Sequence, residues 1–162
     1  YGGPGNDTIN SFDGTADIVN CGPGTDTVMA DPDDVLIGCE RRKQPPRVRS
    51  IVDFGFTFRG ALTTVDRLTV RSIPTGGAVV VACRGGGCPF ATKATKLKQG
   101  QKREALAGLF KGRSLRAGAT LDVRVTATGL VGRVHRFQMR RNKEPSDSVL
   151  CLMPGSKKAT KC

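Results

Sequence analysis

A chain of 162 residues, 38% hydrophobic and with a net charge of +12, has room for one ordinary domain or two small ones. It contains no apolar run of roughly 18 residues, so no helix spans a membrane. The charge is unevenly placed: residues 1–40 carry eight acids and no Lys or Arg, a net of −8, whereas residues 41–162 hold all 26 Lys and Arg against six acids, a net of +20. That asymmetry predicts two units, 1–40 and 51–162, joined by a linker over 41–50. It points to cation binding by the first and polyanion contact by the second. A basic surface with an acidic cap is the plainer alternative.

The first unit is periodic. Gly2-Gly3-Pro4-Gly5-Asn6-Asp7-Thr8-Ile9-Asn10 matches the nonapeptide G-G-x-G-x-D-x-U-x at every specified position, and Cys21-Gly22-Pro23-Gly24-Thr25-Asp26-Thr27-Val28-Met29 loses only the first glycine. Between them, Phe12 to Asn20 is a degenerate copy that keeps Asp17 and Val19. The apolar positions Ile9, Val19, Val28 and Ile37 are expected to point inward. Glycines allow the positive-φ turns that aim carbonyl oxygens at a shared point, and each aspartate adds the hard anionic oxygen that calcium prefers. Two nonapeptides make one coil, so the Asp7 turn is expected to stack on the Asp26 turn, and the Asp17 turn to face Asp33–Asp34 on the other edge. Asp31-Pro32-Asp33-Asp34 breaks the repeat and reads as its end.

This segment resembles the RTX calcium-binding repeats of secreted bacterial proteins. The resemblance implies a parallel β-roll and Ca2+ held by Gly3, Gly5, Asp7, Gly22, Gly24 and Asp26, with Asp17 at a poorer second position. Phe12 and Asp13 stand where the repeat has glycines, and Val35 stands where a fourth aspartate would fall.

Arg41 to Arg47 is charged and interrupted by Pro45-Pro46, as a semi-rigid connector would be. Beyond it, Ile51–Phe58, Leu68–Val70, Ala78–Cys83, Leu121–Val125, Val131–Met139 and Ser148–Leu152 read as strands separated by Gly- and Pro-rich turns. Leu106, Leu109 and Phe110 at helical spacing predict one short helix over 103–111. The fold class expected is therefore all-β: terminal coils of a parallel β-roll, then an antiparallel immunoglobulin-like β-sandwich with one short helix.

Six cysteines with none left over suit an oxidising compartment. They fall in near pairs, Cys21 with Cys39, Cys83 with Cys88 and Cys151 with Cys162, and those pairings are expected, although six cysteines allow many others. No C-x2-C spacing occurs and His135 is the only histidine, which disfavours zinc. The start at Tyr1, inside a repeat and without an export signal, reads as a piece of a longer precursor. The segments Cys83–Phe90, Leu109–Arg116 and Cys151–Cys162 are together similar to a disulfide-containing β domain of secreted proteins from high-GC Gram-positive bacteria. That similarity implies an extracellular location and disulfides, and brings no catalytic residues.

No triad, paired carboxylates or phosphate loop emerges, so the chain is expected not to be an enzyme. His135 lies in a strand pattern and reads as a structural, half-buried histidine. Lys93–Arg103, Lys111–Arg116, Arg133–Lys143 and Lys157–Lys161 are basic clusters of the kind that bind polyanions by counterion release. One tyrosine and no tryptophan argue against specific nucleic-acid binding. The expected partner is an acidic polysaccharide or teichoic-type polymer, or a second copy meeting the acidic end head to tail. The leading expectation is a secreted, calcium-binding surface or matrix protein; the alternative is the non-catalytic anchoring tail of a larger secreted enzyme.

Overall fold

The computed structural model describes residues 1–162 and is all-β. Strands β1 (Thr8–Ser11), β3 (Thr27–Ala30) and β5 (Arg41–Arg42) pair in parallel in one sheet, and β2 (Ile18–Asn20) pairs in parallel with β4 (Val35–Ile37) in another. The register is that of the repeat, with Thr8 opposite Thr27 and Ile9 opposite Val28. Val19, Cys21, Val28 and Ala30 are buried between these strands, with Ile9, Leu36 and Cys39 packed against them.

Two expectations change here. In the fourth repeat it is Leu36, opposite Val19, that packs inward, while Ile37 is exposed. The Asp31–Asp34 turn shortens the spacing, and in a strand a one-residue slip sends every side chain to the other face. Pairing also runs past residue 40 into the segment expected as linker: Arg41 and Lys43 donate from their backbone N–H groups to the carbonyls of Asp26 and Val28.

The remaining strands are antiparallel. One sheet holds β6 (Ile51–Arg59), β7 (Leu62–Arg71), β10 (Arg103–Ala105) and β11 (Leu115–Arg116), with β7 bonded to the other three. The second runs β14-β13-β12-β8-β9, from Lys143–Leu152, Gly132–Arg140, Thr120–Thr126, Ala78–Arg84 and Thr92–Ala94. A core of 17 buried residues draws on both, with Val52, Leu68 and Val70 from one and Val79, Val81, Leu121, Val123, Val125, Phe137 and Met139 from the other. Phe137 lies edge-on to Phe54 and Phe56, at ring-centroid distances of 4.8 and 5.2 Å.

The helix expected over 103–111 does not form. Arg103–Ala105 is the short strand β10, and only Ala107–Phe110 turns, as a single 3-10 turn. Edge bonding wins over helical spacing: Glu104 sits opposite Val70, and the Leu106 N–H donates to the Leu68 carbonyl at 2.7 Å. Gly108 and Gly112 weaken any longer helix. Leu106 and Phe110 still reach the core, where the spacing had placed them.

The acidic coils dock on the sandwich through Phe12, which is buried with Val131 and Cys151 and flanked by Met29 and Met153. The chain joining the two parts is held as well. Pro46 accepts from the Val131 N–H, and the Val48 N–H donates to the Val131 carbonyl, each at 2.9 Å.

Candidate metal site in the stacked turns

The turn of residues 2–7 lies on the turn of residues 21–26. Gly5 donates to the Pro23 carbonyl at 2.9 Å, the Thr25 N–H donates to Asn6 Oδ1 at 2.9 Å, and the Thr27 N–H donates to the Asp7 carbonyl at 2.8 Å. The glycine requirement is steric as well as torsional. A Cβ on Gly24 (φ +153°) would sit 1.7 Å from the Gly5 oxygen, and one on Gly22 (φ +98°) 2.1 Å from the Gly3 oxygen. Only glycine lets the two turns approach so closely.

Asp26 is fully buried, and its Oδ1 accepts the Asp7 N–H at 2.7 Å. Its Oδ2 is buried without a hydrogen-bond partner, and so is Oδ2 of Asp7. Two carboxylates of adjacent turns thus each leave one oxygen unsatisfied. A buried anion without a partner is costly, and a cation is the natural counterpart. The two carboxylate oxygens are hard, anionic donors and so fit a hard cation. No group of three or more His, Cys, Asp or Glu side chains is placed to hold a metal ion, so a cation here would need backbone carbonyls or water to complete its shell.

The other edge is built differently. Asp34 Oδ1 accepts from the Asp17 N–H and its Oδ2 from Ser11 Oγ and the Asp31 N–H. Buried Asp31 accepts the Asp13 and Gly14 N–H groups at 2.9 and 2.8 Å. Desolvation works against the Asp34 carboxylate, but its bonds from Asp17, Ser11 and Asp31, with the charge of Arg42, hold its pKa below the usual range. These aspartates spend their oxygens on the protein's own N–H and O–H groups, and Asp17 is not brought to the Asp7–Asp26 pair.

Glu40 was not singled out by the motif, yet it continues the series. Its Oε2 accepts the Asp26 N–H at 2.8 Å, as Asp26 does for Asp7 one coil earlier. The signal that would have found it is an acid directly before the third strand of the ladder, the position Asp7 and Asp26 hold before theirs.

The coils end in the Cys21–Cys39 disulfide, and Cys83–Cys88 and Cys151–Cys162 close the other two pairs, leaving no free cysteine. No helix is long and apolar enough to cross a membrane. Both features are consistent with an extracellular protein. The chain matches no family model, no curated protein and no solved structure. Among the cations, only Arg71, Arg124 and Arg136 form ion pairs, the first with Asp53 and the others with Asp122. His135, on β13, is half-buried with Nε2 unpartnered. Burial lowers its pKa and nearby Arg133 lowers it further, against the raising effects of a Ser50 backbone bond and Asp147.

Proposed function

We propose that this chain is a secreted, calcium-binding structural protein of a surface or matrix, without catalytic activity. Its acidic coils are the end of an RTX-type β-roll, and its basic β domain is a sandwich of immunoglobulin-like type that contacts anionic polymers or neighbouring subunits. The observation that carries the reading is the pair of orphaned, buried oxygens on Asp7 and Asp26, set where the repeat motif puts its ligands. Calcium bound there would neutralise the pair and tie one coil to the next. Around it, Gly3, Gly5, Gly22 and Gly24 hold the turns at contact distance, and Glu40 fixes the Asp26 backbone from below.

The polymer contact is supported by charge. Most of the 26 Lys and Arg lack an acidic partner, and the aromatic content is 5%, which suits polyanion binding without base stacking. Light scattering during a calcium titration, at low and moderate salt, separates the two kinds of partner. Mass that grows with calcium and falls with salt identifies self-association. A monomer throughout leaves the anionic polymer, and a chain that neither assembles nor binds polyanions refutes the proposal.

A further inference from the structure

Where the linker lies against the sandwich, two adjoining cavities of about 360 and 440 Å³ share Pro45, Arg47, Cys151 and Cys162 along their walls, and Ala30 and Pro32 of the coils line only the first. Lys43 and Lys161 line the first, and Arg49 and Arg133 the second, so five cations counting Arg47 surround one groove. No Asp or Glu side chain lines either cavity, and none of the five forms an ion pair. Arg42 also borders the groove, but its guanidinium is engaged with the carbonyls of Ala30 and Asp31.

Arg133 is the unusual member. It lies opposite Val125 and Cys151, on the face of β13 that carries Phe137 and Met139 into the core. A guanidinium on a core-facing row normally has an acidic or carbonyl partner. Its Nε is instead buried with no partner. The acid on the corresponding row of β14, Asp147, is exposed and opposite Phe137, four residues along the strand from Cys151.

The groove is also built rather than incidental. Its floor includes Val131 and Met153, and the Cys151–Cys162 disulfide fixes one wall. The linker wall is held by the backbone bonds of Pro46 and Val48 to Val131. An apolar floor ringed by unpaired cations, in cavities of this size, is what a small anionic ligand with apolar faces requires.

We infer that this seam groove is the specific binding site for a short segment of acidic saccharide. Its sugar rings lie on Val131, Met153 and the disulfide, and its carboxylate or phosphate groups meet Arg47, Arg133 and Lys161. The inference rests on the anionic-polymer reading and deepens it, by replacing contact over the whole basic surface with one site built where the linker crosses the basic domain.

The test is calorimetric titration of the full chain with a uronic-acid hexasaccharide, a neutral hexasaccharide of the same linkage and inorganic phosphate. Arg47 and Lys161 are exposed, so Arg47→Ala with Lys161→Ala should leave melting unchanged. It should weaken uronate binding about tenfold, the cost of losing charged hydrogen bonds. Arg59→Ala with Arg84→Ala removes the same charge from exposed strand positions outside the groove and should alter affinity less than about twofold. Inorganic phosphate should compete weakly, and the neutral sugar should not bind. Equal weakening by both double variants overturns the seam site and leaves diffuse polyanion binding standing. No uronate or phosphate binding by the unaltered chain overturns the site and the polymer reading together.

Discussion

The acidic coils and the basic sandwich reach order by different means. The sandwich buries a core of 17 residues contributed by two sheets, whereas the coils bury four: Val19, Cys21, Val28 and Ala30. What the coils lack in apolar burial they replace with polar and covalent ties. Asp26, Glu40, Asp31 and Asp34 each accept a backbone N–H from a residue at least three positions away, and Cys21–Cys39 staples the last coil. A unit held this way is the more sensitive to loss of its disulfide, since little buried apolar surface remains to hold it.

The largest break should come from the sandwich core. Phe137→Ala removes a fully buried ring that touches Phe54 and Phe56, and should cost about 3–5 kcal/mol, read from urea unfolding. The coils should retain their amide protection in hydrogen exchange unless the sandwich itself unfolds. Next, Cys21→Ser with Cys39→Ser opens a loop with a sequence separation of 18 and should destabilise the coils by about 3 kcal/mol. Exchange in β1 to β4 should then accelerate while β12 and β13 stay protected. A smaller effect is expected from calcium. At about a hundredfold excess over its dissociation constant it should stabilise the coils by about 2.7 kcal/mol, and chelation should reverse this without changing β12 exchange.

The smallest effect belongs to the sandwich and to pH. Burial favours neutral His135, so the unfolded chain takes up a proton before the folded one does. The stability this provides is complete above the ordinary value of 6.5 and is lost as pH falls below it toward the lowered folded value. Thermal melting followed from pH 7.5 to pH 5 should show that loss, and His135→Gln should remove its pH dependence.

The sequence made the stacking of the coils legible, because stacking similar turns forces similar residues: the turn of Asp7 lies on the turn of Asp26, with Gly22 and Gly24 at the close approach. Its departures were legible only afterwards. Phe12, in a glycine position, is the side chain that docks the coils onto Val131 and Cys151, a contact formed across more than a hundred residues of chain. Leu36 replaced Ile37 inside because a shortened turn shifted the register, which residue type cannot report. In the sandwich, alternation marked the strands, but Leu106, Leu109 and Phe110 carry a helical spacing that the free edge of β7 overrides. The seam groove was invisible, since the linker residue Arg47 meets Arg133 and Lys161, far along the chain, only once the linker pairs beside Val131.

The account turns on the orphaned oxygens of Asp7 and Asp26, and calorimetric titration of calcium into the chain and its Asp26→Asn variant tests them directly. Asparagine keeps an acceptor for the Asp7 N–H and removes the charge, so the fold should persist. Saturable calcium binding to the unaltered chain that disappears in Asp26→Asn is the predicted result. Equal binding by both, or none by either, would contradict it.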